Sequence, residues 1–188
     1  MCFSAEASFI AAAILLCIGG FVWWQAKHSS YAYIALFPAF FGLQQGFEGV
    51  VWLGVDGVVS SAIQLVAGYA FLSFAVVLWP LLFAVAAYTI ETKRFVREKL
   101  QWFLAAGTVW SIVSAGILAY ADLSVVASGE HIIYDVVALS QWMTIPLTLI
   151  YAGIGLIPLF LSSVKRLRVF GWLVFVSGGI TWVVETAY

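Results

Sequence analysis

Apolar residues run along this chain in six long blocks, at roughly 4–25, 30–54, 59–89, 100–120, 136–161 and 168–187. Polar residues collect between the blocks. Each block is about long enough to cross a ~30 Å hydrocarbon layer as a helix. The pattern predicts an all-α fold, a polytopic transmembrane helical bundle of six spans forming one domain over residues 1–188. Trp23, Trp24, Trp102 and Trp172 fall near one set of block ends and Trp52, Trp142 and Trp182 near the other, as interfacial anchoring expects. Trp79 and Trp110 lie deeper and are expected to pack between helices. All four prolines, Pro38, Pro80, Pro146 and Pro158, sit inside blocks. Packing against neighbours can satisfy the carbonyls they free, so local bends are expected there.

Charge gives the bundle a hand. Threaded back and forth, all eight Lys and Arg residues fall on one side. Lys27 lies in the first connection, Lys93, Arg94, Arg97 and Lys99 in the third, and Lys165, Arg166 and Arg168 in the fifth. The second and fourth connections hold only Asp56, then Asp122, Glu130, His131 and Asp135. Short basic loops stay in the cytoplasm, so the N-terminus and the acidic loops are expected outside.

Composition narrows the class further. At 64% hydrophobic and 9% charged, with a mean hydropathy of +1.08, a soluble domain is excluded. No basic, aromatic-interleaved surface suggests nucleic acid. The first block has only Glu6 ahead of it and no positive n-region, which reads as a retained helix entering from outside rather than a signal peptide. Cys2 and Cys17 would stand about 22 Å apart on a helix, too far to pair. The connections are short except for residues 121–135, a segment long enough to fold back over the helix ends. No inverted repeat of the transporter kind is visible.

Candidate chemistry gathers toward the outer third. Two carboxylates lie inside blocks, Glu48 in the second and Glu185 in the sixth, and an intramembrane carboxylate is by default a functional candidate. Gln44, Glu48 and Trp52 recur at four-residue spacing with Gln45 three before Glu48, so the four share one helical face. Ser4, Ser8, Gln64, Gln141, Thr144 and Thr181 come at similar depth. No Lys or Arg stands on that side to neutralise the acids. The remaining positive sources are the N-terminal amine, His131, a metal, a cationic ligand or protons. A bare buried carboxylate takes up a proton or finds a partner. The plainer reading is therefore a neutral Glu48 hydrogen-bonded to glutamine, with Glu185 snorkelling to the interface. His131 and Tyr134 share the outer side with Cys2, but their spacing is no metal signature, and no metal site is assigned.

Several chemistries drop out. His28 and His131 lie on opposite sides and cannot both ligate one haem. No lysine lies within a block for a retinal Schiff base, and two histidines cannot build a three-histidine hydrolase site. Nucleophile elbows, phosphate loops and His-Glu-x-x-His are absent from the sequence.

Met-Cys-Phe-Ser-Ala-Glu-Ala-Ser-Phe at 1–9, Leu-Gln-Gln-Gly-Phe-Glu-Gly-Val-Val-Trp-Leu-Gly at 43–54, Leu-Trp-Pro at 78–80 and His-Ile-Ile-Tyr-Asp at 131–135 resemble an uncharacterised family of bacterial membrane proteins. Its members open Met-Cys-Phe-Ser-Ala and carry Gln-Gln-x-x-Glu-Gly-x-x-Trp. The resemblance spans most of the chain and implies a membrane bundle of seven helices, with no known activity. Its motifs fall on Cys2, Ser4, Gln44, Gln45, Glu48, Trp52, His131 and Tyr134. This chain ends at Tyr188 after six blocks, so the expectation is a short member or one lacking a C-terminal helix.

The resulting expectation is a multi-pass protein of the bacterial inner membrane with an outward-facing polar pocket for a small molecule or cation, used in sensing or transport. Gln44, Gln45, Glu48, Trp52, His131, Tyr134 and Cys2 would line it. Glu48 would recognise charge, the glutamines would orient, Trp52 would offer a stacking wall, and the His131 segment would act as a lid. The partner is then the lipid bilayer. One alternative is an accessory subunit among other membrane subunits, whose Gly, Ala and Ser positions are packing surfaces. Another is an enzyme using His131 or Cys2, although an activity is the less expected outcome. No cofactor is indicated.

Overall fold

Ser4 caps the first helix, its hydroxyl accepting from the Ala7 amide at 3.2 Å, and α1 runs Ala5–Ala26. The computed structural model describes residues 4–128, 131–136 and 141–187, with the side chains at 127–128, 141–144 and 181–187 outside that description. After α1 come α2 (Ala32–Ala35), α3 (Phe37–Val55), α4 (Ser61–Leu72), a π-helical stretch (Ser73–Leu78), α5 (Trp79–Ile90) and α6 (Arg94–Tyr120). Two strands follow, β1 (Leu123–Ser128) and β2 (His131–Val136), then α7 (Gln141–Leu161) and α8 (Lys165–Ala187). The expected helical blocks are present as a helical bundle.

Among the described residues, four helical segments are long and apolar enough to cross a membrane: Ala5–Ala26, Ala32–Val55, Ser61–Ile90 and Arg94–Tyr120. In the last, only 6% of the most apolar window is buried within the protein. Its Val109, Ile112 and Val113 are exposed. Such a face is stable only against an apolar surrounding.

Prolines explain two irregularities. The second block breaks at Leu36, with Pro38 in the first turn of α3, where a missing N–H costs nothing. Pro80 cannot donate back to the preceding turn, and the residues before it open into the wider π-helical pitch. The cations sit differently from expectation. Arg94, Arg97 and Lys99 lie on the first turns of α6, and Lys165, Arg166 and Arg168 on the first turn of α8, rather than in connections.

The chain forms two compact units, Met1–Val77 with Ser114–Ser140, and Leu78–Val113 with Gln141–Tyr188. In the first unit α1 and α3 pack antiparallel with close backbone approach. A Cβ on Gly19 would stand 2.4 Å from the Ala39 amide nitrogen, and one on Gly49 would meet the Phe9 ring at 2.9 Å. Small residues at such crossings let helices touch through their backbones. Gly57, at φ +72°, turns the chain between α3 and α4.

The long connection is not an irregular loop. Residues 123–136 form an antiparallel hairpin, with Val125 opposite Tyr134 and Ser128 opposite His131. An all-α fold is thus amended by one β-ribbon. Its cause is local: Val125, Val126, Ile132, Ile133, Tyr134 and Val136 are β-branched or aromatic residues that favour extended chain. The fold-back itself is observed. A Cβ on Gly68 of α4 would meet Leu123, Val125 and Tyr134 at 3.1, 3.3 and 3.7 Å, and the Tyr134 ring stacks on Phe71 at 5.0 Å and 9°. Tyr69 pins the base, its hydroxyl donating to the Ala121 carbonyl (2.9 Å) and accepting from the Leu123 amide (3.2 Å).

In the second unit α7 packs between α5 and α8. Gly155 faces Phe83, while Gly171 faces Leu159 and Phe160. Ala84, Ala86, Ala87, Leu100, Leu159 and Leu167 are buried there.

Candidate functional site

Four-residue spacing on α3 carries Gln44, Glu48 and Trp52 to the packed side of the helix, and all three are buried, Glu48 to 4% exposure. Gln45, one residue round the helix, is half-buried. The antiparallel register that sets Phe9 against Gly49 brings Ser8 of α1, fully buried, to the same level. Gln64 of α4 packs against Gly54, two residues beyond Trp52.

Tyr134 comes to this cluster from the hairpin. Its phenol is held well above the ordinary tyrosine range, first by burial and second by the negative charge of Glu48. The helix carboxylate and the hairpin phenol therefore share one electrostatic environment, which low solvent access strengthens.

Three buried polar atoms here have no hydrogen-bond partner among the described residues: Ser8 Oγ, Trp52 Nε1 and Tyr134 Oη. Each unmade bond in a buried setting costs about 1–3 kcal/mol. The indole can only donate, whereas the two hydroxyls can donate or accept. Together they would complement a group offering hydrogen-bond acceptors, with a carboxylate alongside for positive charge.

His131 opens β2. It stands three residues from Tyr134 on β2, so strand alternation puts it on the opposite face with Ile133 and Asp135. Cys2 lies outside the described residues, as do the side chains of Gln141, Thr144, Thr181 and Glu185. Among the described residues no three His, Cys, Asp or Glu side chains come together as a metal would require.

A second buried carboxylate escaped the sequence reading. Glu91, after α5, is 3% exposed and takes hydrogen bonds from the Ser162 hydroxyl (3.0 Å), the Ser163 amide (2.7 Å), the Ser163 hydroxyl (2.6 Å) and the Lys93 amide (2.9 Å). Burial pushes its carboxyl up, but those bonds outweigh it and lower the pKa to about 2. The group joins the connection after α5 to the one after α7. Only the Ser162-Ser163 pair hinted at this, and nothing local in the sequence tied that pair to Glu91.

Neither the curated proteins nor the solved structures contain a match to this chain. Residues 1–187 match the family of unknown function DUF6629, as the resemblance to an uncharacterised family implied, and the chain belongs to that family.

Proposed function

We propose that this protein is a multi-pass protein of the bacterial inner membrane, with six spans, its N-terminus outside, and a small-ligand or cation site beneath the hairpin. The threading rests on the basic residues, which all fall on one side when the six helical blocks alternate. Cysteines introduced by Ser30→Cys and by Ser124→Cys, each in a background without Cys2 and Cys17, are expected to label from opposite sides. Ser124 should react from outside. Labelling of both from one side overturns the threading.

The binding reading is carried by one observation: Ser8 Oγ, Trp52 Nε1 and Tyr134 Oη are buried without partners among the described residues, on the elements that pack about the buried Glu48. A bundle stabilised for its own sake leaves few such atoms unmatched. A ligand with a positive end for Glu48 and an acceptor for the indole and phenol would satisfy them. The hairpin closes over the site in this arrangement, so entry requires it to lift.

The test is thermal unfolding of the purified full chain with Na⁺, K⁺, ammonium and small primary amines as probes. A ligand at a hundred times its Kd stabilises the folded state by ~2.7 kcal/mol. At least one probe is expected to raise the melting temperature of the wild type and to leave Glu48→Gln unchanged. Equal responses in both, or none in either, overturn the reading.

A further inference from the structure

The first turns of α6 carry Arg94, Arg97, Glu98 and Gln101 at the spacing of one helical face, and with Tyr88 of α5 they line a cavity of about 280 Å³. Arg97 is already positioned, its guanidinium carbon 4.6 Å from the centre of the Tyr88 ring. A guanidinium seated on an aromatic face keeps its N–H fork in plane for an acceptor and loses less freedom on binding. Arg94 donates from Nε to Glu98 at 2.9 Å, but both side chains are largely exposed, and such a pair is weak.

Charge favours an anion here. Over residues 91–101 four cations, Lys93, Arg94, Arg97 and Lys99, stand against two acids, Glu91 and Glu98, and Glu91 is already held by four hydrogen bonds. The start of a 27-residue helix adds the positive end of its dipole. Around the cavity stand large aromatic residues with little cover: Phe95 is 69% exposed, with the Lys99 ammonium 4.3 Å over its ring, and Trp102 is 72% exposed. Aromatic and basic side chains mixed at the end of an apolar helix are typical of headgroup depth.

We infer that this cavity is a binding site for a phosphate ester, with Arg94 and Arg97 as paired forks and Gln101 as a neutral donor. At headgroup depth the ester supplied is the headgroup of an anionic phospholipid. Glu98 acts as an internal competitor, holding Arg94 until a phosphate displaces it. The site rests on the chain's spanning a membrane, as proposed above, but is independent of the Glu48 cluster.

The experiment is native mass spectrometry of the full chain in zwitterionic detergent with equimolar phosphatidylglycerol and phosphatidylcholine. Each basic group near the surface contributes ~1 kcal/mol, so phosphatidylglycerol should be retained on the order of tenfold more. Arg94→Gln with Arg97→Gln should bring the ratio near unity, while Lys165→Gln with Arg166→Gln should leave it. Glu98→Gln should increase retention, a gain that loss of folding cannot mimic. Inorganic phosphate and glycerol phosphate, titrated as competitors, separate the sources: displacement means soluble esters occupy the same site, and no displacement assigns it to lipid. Equal retention of both lipids by the wild type without binding of soluble phosphate overturns the proposal. So does a preference that survives the double substitution.

Discussion

Two glutamates of this chain are buried to nearly the same degree, Glu48 at 4% exposure and Glu91 at 3%, in neighbourhoods built on opposite plans. Around Glu91 short donors converge, two serine hydroxyls and two backbone amides, all within 3.0 Å. Around Glu48 stand Ser8, Trp52 and Tyr134, whose polar atoms have no partner among the described residues. A carboxylate that the chain satisfies at its own expense is a structural tie. Unmatched donors and acceptors beside a carboxylate cost stability, which is tolerable where an outside group completes them.

The sharpest way to break that contrast is to remove Glu91. Glu91→Ala strands four donors and should destabilise the protein by about 3 kcal/mol, seen as a lower denaturation midpoint in detergent. An effect below ~1 kcal/mol would make Glu91 no tie at all. The same tie sets an acid limit. A carboxyl lowered from 4.5 to about 2 adds stability that is complete above the unfolded value and is lost as pH falls from about 4.5 to 2. The loss should approach ~3 kcal/mol, with Glu91→Gln flattening this part of the pH profile.

Tyr69 of α4 and Tyr134 of the hairpin sharpen the comparison at smaller scale. Tyr69→Phe removes bonds to Ala121 and Leu123 and should cost about 1–2 kcal/mol. Tyr134→Phe keeps the stack on Phe71 and deletes an unmatched hydroxyl, so stability without ligand should stay level or rise by up to ~1 kcal/mol. Equal losses from the two substitutions would mean the Tyr134 hydroxyl is satisfied after all. Smallest of all, Glu48→Gln should move the unliganded midpoint by less than ~1 kcal/mol while erasing any cation response.

What could be read beforehand followed from periodicity. The apolar blocks gave the helices, and four-residue spacing put Gln44, Glu48 and Trp52 on one face before any coordinates. Parity in strands was the weak point. Leu123 to Ser128 and His131 to Val136 carry β-formers, yet between apolar blocks they read as a loop, which hid that His131 and Tyr134 face opposite ways. Glu91 was illegible for a different reason. Its hydroxyl partners are 71 and 72 residues away, and no local pattern encodes a contact at that separation. The same holds for Ser8, whose level beside Glu48 depends on where Gly19, Gly42 and Gly49 let α1 settle.

The pin at the base of the hairpin has a consequence in time rather than energy. Tyr69 fastens the ribbon where it leaves α6, while Tyr134 rests on α4 through the face of its ring. A ribbon held at its root and laid flat along its length opens by swinging, and anything passing beneath must wait for the swing. Association would then fall below the diffusion limit and level off at high concentration, at the opening rate of the ribbon. Loosening the root with Tyr69→Phe would hasten arrival and departure alike, leaving the ratio of the two nearly untouched.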